Sequence, residues 1–122
     1  MPELPEVETI VRGLRPRVVG RRIENAEFIW RRTCVGDPEA AVAGLRGQRI
    51  SGLRRWGKYL VFDLERGGGT SVLVVHLRMT GALLMNGETG PWTRAVLTFD
   101  GGSRVIFQDI RKFGRMEWAA DI

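Results

Sequence analysis

The sequence predicts a mainly β domain with flanking helices: an antiparallel two-sheet β-sandwich of about eight strands, an N-terminal helix and a second short helix. Apolar residues recur at spacings of three and four along residues 4–18, which is typical of a helix that packs on a core. Asp37-Pro38-Glu39 is a typical start for a second helix. From residue 48 onward, short β-rich segments alternate with glycine-containing turns, and this hairpin-rich order favours antiparallel sheets.

The first helix is predicted from one apolar stripe, and the second from its capping residues. The stripe consists of Leu4, Val7, Ile10, Val11, Leu14 and Val18. Gly13 and Pro16 weaken the second half of this helix, so a kink is expected there. The second helix is expected to begin with Asp37 as N-cap and Pro38 at its first position, and to end near Leu45.

Eight strands are predicted from β-rich segments that turn residues separate. The first is expected within residues 21–32, and the others at residues 48–56, 58–64, 71–77, 82–85, 94–99, 104–108 and 114–119. Alternation places Lys58, Leu60, Phe62 and Leu64 on one face of the third strand. Residues 86–92 are expected to form a loop.

Composition indicates one globular domain, and its charge weakly favours a polyanion as partner. The 122 residues are 43% hydrophobic and 27% charged, and no apolar run approaches the roughly 20 residues of a membrane span, so no membrane partner is expected. One cysteine and one histidine exclude an internal disulfide and argue against a protein zinc site, so we expect no metal, no cofactor and a reducing cytoplasm. The net charge is +5, with seventeen arginines and two lysines, which favours phosphate recognition unless it reflects coding bias alone.

The N-terminal stretch combines an amine with carboxylic acids. If the initiator methionine is removed, Pro2 presents a secondary amine, and α-amino groups titrate near ~7.7–8.0. Glu3 and Glu6 follow within one helical turn, and amine plus acid is the minimum for Schiff-base chemistry at a carbonyl carbon. The alternative interpretation is a solvated helix start, where proline and acidic residues suit the first turn. Acidic residues rather than a basic leader come first, so no signal peptide is expected.

Three further segments concentrate cations with aromatic or apolar side chains: Arg54–Tyr59, His76–Gly81 and Asp109–Gly114. Met79 and Phe113 are large apolar residues in predicted turns, and proteins that distort a duplex insert such residues between base steps. An enzyme that works on the sugar carbon C1′ in duplex DNA must evert the nucleotide and fill the gap. The alternatives are a solvated hairpin tip, a core histidine and an ordinary basic loop.

Four motifs, in this order, resemble the formamidopyrimidine-DNA glycosylases: MPELPEVET, RRWGKYL, HLRMTG and DIRKFG. The resemblance spans the whole chain. It implies a base-excision enzyme that removes 8-oxoguanine and ring-opened purines and then cleaves the strand by β,δ-elimination. The opening motif differs from that of the related endonuclease VIII proteins, which usually begin with Pro-Glu-Gly-Pro.

The resemblance implies roles for four residues at the reaction centre. Pro2 would be the nucleophile that attacks C1′ and forms the imine, and Glu3 the general acid and base at the opened sugar. Glu6 would assist in the lesion pocket. Lys58 would complete this catalytic group by gripping a phosphate beside the everted nucleotide.

The resemblance also implies a set of DNA-binding residues. His76 matches a second phosphate-gripping position. Met79, Arg111 and Phe113 match the side chains that fill the gap, with Arg111 facing the estranged cytosine. Asp109 would buttress the loop that carries the last two.

One segment departs from the family pattern. Pro91-Trp92-Thr93-Arg94 stands where the family commonly has a His-x-His pair near DNA, and Arg94 is expected to meet a phosphate there. The family also continues with a helix–two-turns–helix domain and a four-cysteine zinc finger, so residues 1–122 are expected to be the N-terminal catalytic domain alone. As an isolated domain it is expected to bind DNA weakly and to excise bases poorly.

The expected partner is damaged double-stranded DNA, and the expected protein is a monomer of the bacterial cytoplasm. A non-catalytic module that binds damaged DNA and retains the fold is the alternative function. A purely structural or protein-interaction domain is the third interpretation, and the basic loops argue against it.

Overall fold

Two helices and two four-stranded antiparallel sheets make up residues 3–120, the part of the chain that the computed structural model describes. This confirms the predicted fold class. The elements in chain order are α1 (Leu4–Val18), β1 (Ile23–Phe28), a 3₁₀ turn (Arg31–Thr33), α2 (Pro38–Leu45), β2 (Arg49–Trp56), β3 (Tyr59–Arg66), β4 (Gly69–His76), β5 (Ala82–Met85), β6 (Thr93–Phe99), β7 (Arg104–Gln108) and β8 (Arg115–Ala120).

Helix α1 buries the predicted apolar stripe. Val7, Val11, Leu14 and Val18 are the fully or almost fully buried members of this stripe. Pro16 lies inside the helix without ending it, and Val18, beyond the proline, has no exposed surface. Burial of Val18 therefore holds the last turn against the core although a proline removes one backbone donor there.

Helix α2 begins as the sequence predicts. The Asp37 side chain accepts a hydrogen bond from the Glu39 backbone N–H at 3.2 Å, and a proline follows at the first helical position. The helix packs on β8 through Gly44, where an added Cβ would lie only 2.6 Å from the Trp118 ring. Gly44 therefore permits the close approach of α2 to β8.

The strands form one sheet in the order β1-β6-β7-β5 and another in the order β2-β3-β4-β8. The core between the sheets includes Phe62, Phe99 and Phe107, none more than 1% exposed. Leu60, Phe62 and Leu64 are buried as predicted, but Lys58 lies in the two-residue turn before β3, not within the strand. Gly57, with φ +60°, supplies the left-handed backbone that this tight turn needs.

Strand register brings three connections to one edge of the molecule. Tyr59 pairs with His76, and His76 pairs with Arg115, so the turn at residues 57–58, the end of β4 and the start of β8 are neighbours. In the other sheet, Ala82 pairs with Gln108, which places the chain before β5 beside the chain after β7. We call the turn at residues 57–58 and the loops 77–81 and 109–114 the loop edge.

Helices able to cross a membrane are absent from residues 3–120, since neither α1 nor α2 is both long and apolar enough.

Candidate functional site

The start of α1 lies against the loop edge and brings two predicted catalytic residues together. The Glu3 carboxylate is 3.9 Å from Lys58 Nζ, and their side chains are 67% and 36% exposed. Glu6, one turn further along, is exposed. Pro2, the predicted nucleophile, lies outside the described residues. The pairing of Glu3 with Lys58 puts an acid and a cation at the N-terminus of α1.

Side-chain contacts from α1 to β2 set the position of this helix. Arg55 donates to Glu8 at 3.2 Å, and Arg15 donates to the Leu53 carbonyl at 2.9 Å. The hydrogen bond from Arg55 holds the pKa of Glu8 below its usual value. Sequence reasoning did not single out Glu8, because its partner is 47 residues away and no local pattern marks the pair.

His76 ends β4 at the loop edge and is half-buried. Its Nδ1 accepts the backbone N–H of Arg78 at 3.0 Å, and its ring stands edge-on to Tyr59 with centroids 4.8 Å apart. An imidazole that accepts at Nδ1 carries its proton on Nε2, which is then available to donate. Partial burial, followed by the charges of Arg78 and Lys58, holds the pKa of His76 below its usual value.

The three residues that the resemblance assigns to gap filling lie on the two loops of the loop edge. Met79 is 49% exposed and Phe113 is 47% exposed, so neither of these large apolar side chains is buried in the core. The Arg111 guanidinium lies 4.9 Å from the centre of the Phe113 ring, a cation–π contact. Arg78 and Lys112, each next to one of the apolar residues, have φ values of +57° and +62°. Such left-handed residues cluster where a loop must present side chains in a particular direction.

Asp109 organises the loop 109–114 from within. It is 1% exposed, and its carboxylate accepts the backbone N–H groups of Arg111 at 3.2 Å and Gly114 at 2.7 Å. The Thr80 hydroxyl from the other loop donates to the same carboxylate. These contacts agree with the buttress predicted for Asp109. The sequence did not predict this role for Thr80, because its contact with Asp109 forms only when the two loops are folded together.

Arg94 is buried, at 9% exposure, and its guanidinium contacts the loop backbone. Nε donates to the Asp109 carbonyl at 2.7 Å, and the two terminal nitrogens lie 3.4 Å from the Pro91 carbonyl and 3.5 Å from the Ile110 carbonyl. The structure therefore gives Arg94 a role inside the fold that the sequence did not predict. Its contact with a DNA phosphate stays a prediction.

Two more cations, Arg115 and Lys112, lie at the C-terminal end of the loop 109–114. Arg115 donates to the carbonyls of Lys112 at 3.0 Å and Gly114 at 2.8 Å. The Lys112 ammonium lies 4.2 Å from the centre of the Trp30 ring, so this side chain is directed at the β1–α2 connection. Of the two lysines in the chain, Lys58 is therefore the one that faces Glu3.

The loop edge is an open surface apart from one small cavity. A cavity of about 430 Å³ lies between β1 and α2, and another of about 320 Å³ lies beside the β3–β4 turn, but neither is lined by residues of the loop edge. A third cavity, of about 130 Å³, does reach the loop edge, where its lining includes Tyr59, His76, Arg78 and Arg115. Exposed cations and apolar side chains beside so small a cavity suit a macromolecular partner better than a small molecule. In residues 3–120, no three His, Cys, Asp or Glu side chains converge so that they could hold a metal ion.

The chain is similar to one family in sequence and in structure. A family model described as the formamidopyrimidine-DNA glycosylase N-terminal domain matches residues 1–116. The formamidopyrimidine-DNA glycosylase of Solibacter usitatus is 49% identical over 122 residues, and that of Geobacillus kaustophilus is 43% identical over 121 residues. These alignments cover 99% and 95% of this chain but only 44% and 43% of the relatives, so the chain spans less than half of their length.

Solved structures of Lactococcus lactis Fpg have the same fold. The complex with an abasic site containing DNA superposes with a TM-score of 0.88 at 34% identity, and covers 98% of this chain and 44% of that one. The complex with a FAPY-dG containing DNA superposes with a TM-score of 0.87 at 34% identity, and covers 97% of this chain and 44% of that one.

Proposed function

This chain belongs to the formamidopyrimidine-DNA glycosylase family, and from that premise we propose that it is the catalytic part of a base-excision enzyme acting on damaged duplex DNA. The proposed substrates are oxidised purines, namely 8-oxoguanine and formamidopyrimidines, and the proposed second activity is cleavage at the resulting abasic site. One observation carries the proposal: the Glu3–Lys58 pair and the exposed side chains of Met79, Arg111 and Phe113 all lie at the loop edge.

The proposed reaction begins at the N-terminal amine. The nitrogen of Pro2 attacks C1′ of the damaged nucleotide, the C1′–base bond breaks, and the base leaves with the bonding electron pair and a proton. Ring opening then gives a C1′ iminium, and the sugar oxygen O4′ takes its proton from Glu3. Loss of a C2′ proton to the Glu3 carboxylate expels the 3′-phosphate, and loss of the C4′ proton in a second elimination expels the 5′-phosphate. Water then hydrolyses the iminium, which breaks the Pro2–C1′ bond, frees the amine and releases the sugar fragment as an aldehyde. Lys58, 3.9 Å from Glu3, balances charge where carboxylate and phosphate meet.

The proposed grip on DNA uses the cations of the loop edge. His76, Lys58 and Arg78 would contact phosphates on either side of the everted nucleotide, since His76 carries its proton on Nε2 when Nδ1 accepts and the other two side chains are cationic. Met79 and the stacked Arg111–Phe113 pair would occupy the space that the nucleotide leaves. The net charge of +5 supports association with a polyanion.

Borohydride reduction on duplex DNA with one abasic site tests the chemistry, because it converts a C1′ iminium into a stable adduct. We expect one covalent adduct, and peptide mapping should assign it to Pro2 rather than to Lys58 or Lys112. In a form that retains Met1, the Pro2 nitrogen is part of an amide, so this form should give no adduct at Pro2 while it still binds the DNA. An adduct on a lysine, or none at high protein concentration, would contradict the proposed nucleophile.

The same experiment separates the enzyme from the alternative function. A non-catalytic module would bind the abasic duplex with an affinity that falls steeply as salt rises, but would form no adduct even with a free Pro2 amine. A structural or protein-interaction domain would show neither the adduct nor salt-sensitive binding.

A further inference from the structure

The loops 77–81 and 109–114 are joined at one point, where the Thr80 hydroxyl meets the Asp109 carboxylate. Thr80 Oγ1 donates to Asp109 Oδ1, and Oγ1 also lies 3.3 Å from the Arg111 backbone nitrogen. The same Oδ1 accepts the Arg111 N–H at 3.2 Å, and Oδ2 accepts the Gly114 N–H at 2.7 Å. In the described part of the chain, the hydrogen bonds between the two loops all involve this hydroxyl.

This junction lies next to each of the exposed side chains assigned to gap filling. Met79 precedes Thr80 in the chain, the Arg111 N–H is itself part of the junction, and Phe113 precedes Gly114, whose N–H is bonded to the carboxylate. The three side chains come from two segments about 30 residues apart in sequence. Their relative position therefore depends on whatever connects the two segments.

Each loop also has hydrogen bonds of its own that do not involve the other loop. Arg94 and Arg115 donate to carbonyls of the loop 109–114 but to none in the loop 77–81. The loop 77–81 is closed by the Gly81 N–H donating to the Leu77 carbonyl at 2.9 Å. Loss of the Thr80 hydroxyl would thus leave two separately ordered loops that are joined only at their bases, by the pairing of β5 with β7.

We propose that Thr80 is a positioning residue: through the Asp109 carboxylate it holds Met79 and the Arg111–Phe113 pair as one preassembled wedge that enters the duplex together. The inference rests on the proposed function. Groups that are ordered before binding do not have to be ordered during it, so a preassembled wedge strengthens binding to DNA that must be opened. Binding to undamaged duplex, which depends on phosphate contacts, needs no wedge.

The test uses the full-length gene product and a duplex that carries tetrahydrofuran as an abasic-site analogue, with 2-aminopurine as the base opposite to it. Thr80→Val removes the hydroxyl and keeps the branched shape, whereas Thr80→Ser keeps the hydroxyl. Thr98→Val, on β6 and remote from the loop edge, is the matched control. Affinity is measured for this duplex and for an undamaged one, and 2-aminopurine fluorescence reports insertion of the wedge.

We expect Thr80→Val to bind the abasic duplex about tenfold more weakly, with a smaller fluorescence change, and to bind undamaged duplex within about twofold of wild type. Thr80→Ser and Thr98→Val should match wild type on both duplexes. Unchanged affinity and fluorescence in Thr80→Val would overturn the inference. Equal losses on both duplexes would also overturn it, because they would indicate a general structural defect.

A double-mutant cycle tests whether Thr80 acts through Asp109 and gives a second route if one variant folds poorly. Asp109→Asn keeps the side-chain shape and weakens the acceptor. If the two residues act as one unit, adding Thr80→Val to Asp109→Asn should cost less than twofold further affinity for the abasic duplex, whereas independent effects would multiply. If the losses of affinity from the two substitutions multiply, the inference is wrong but the proposed function is not affected. A wild-type protein that does not distinguish abasic from undamaged DNA contradicts both the inference and the proposed function.

Discussion

Replacement of Arg94 by methionine should destabilise the fold by about 2–3 kcal/mol, because it removes a buried charged donor and leaves its acceptors in place. Arg94 is 9% exposed, and its Nε donates to the Asp109 carbonyl at 2.7 Å. A hydrogen bond to a charged group contributes roughly 1.5–3 kcal/mol to stability, and a buried acceptor that loses its donor costs about 1–3 kcal/mol. The two figures describe the same loss, so they are not added. The contacts at 3.4 and 3.5 Å are long and add little.

A loss of this size is measurable against a total stability of roughly 5–15 kcal/mol. For a domain of this length it corresponds to a fall in melting temperature of about 6–12 °C. Thermal unfolding followed by circular dichroism is the assay. Arg94→Lys, which keeps a cation but not the planar fork, should fall between methionine and wild type.

Arg12→Met is the matched control for this prediction. The Arg12 side chain is 76% exposed, and its ion pair with Glu8 on the helix surface is screened by solvent, so its loss should change stability by no more than about 0.5 kcal/mol. If Arg94→Met and Arg12→Met have the same melting temperature, the Arg94 guanidinium does not hold the loop backbone and the reasoning is wrong.

Four further predictions follow from burial and close contacts. Gly13→Ala should stabilise the protein by about 0.5–1 kcal/mol, since a Cβ on this helical residue meets nothing within 4 Å. Gly114→Ala should destabilise it by about 1–3 kcal/mol, since its Cβ would lie 2.3 Å from the Phe107 ring. If the two glycine variants change the free energy of unfolding in urea equally, both predictions are wrong. His76, the one histidine, should titrate by NMR with a midpoint below 6.5, because partial burial and neighbouring cations lower its pKa. The unfolded chain then binds the proton more readily than the folded one, so acidification below about pH 6.5 should reduce the stability of the wild type more than that of His76→Gln. A titration midpoint of His76 above 6.5 would refute this. Cys34 should react with iodoacetamide far more slowly in the native protein than in the unfolded one, because burial raises the pKa of its thiol; equal rates would disprove it.

The loop edge illustrates how a sandwich of hairpins can assemble a site from distant segments. Antiparallel pairing returns the chain repeatedly to the same edge, so residues near 58, 80 and 111 become neighbours although about 20 to 30 residues separate them in sequence. The loops can then carry exposed and polar side chains, because the strands beneath them are secured by the core.

Most of the elements were predictable from the sequence because their signals are local. Alternation marked β3, the apolar run marked β4, and the Asp-Pro pair marked α2, and each of these appears within about two residues of its expected bounds. Lys58 was assigned to the strand and instead occupies the turn before it, since period-two alternation does not show where a hairpin reverses. The site residues were identified by their resemblance to family motifs, which mark residue types but not contacts.

The sequence by itself therefore determined the hairpin order, the buried stripe of α1 and the motifs that contain the proposed site. Only the tertiary structure decided that Glu8 pairs with Arg55, that Arg94 turns inward to the loop backbone, and that Thr80 joins two loops. The physical reason is the same in each case. These are hydrogen bonds between side chains and partners 15 to 47 residues away, and neither propensity nor periodicity specifies which way a polar side chain turns once the strands have paired.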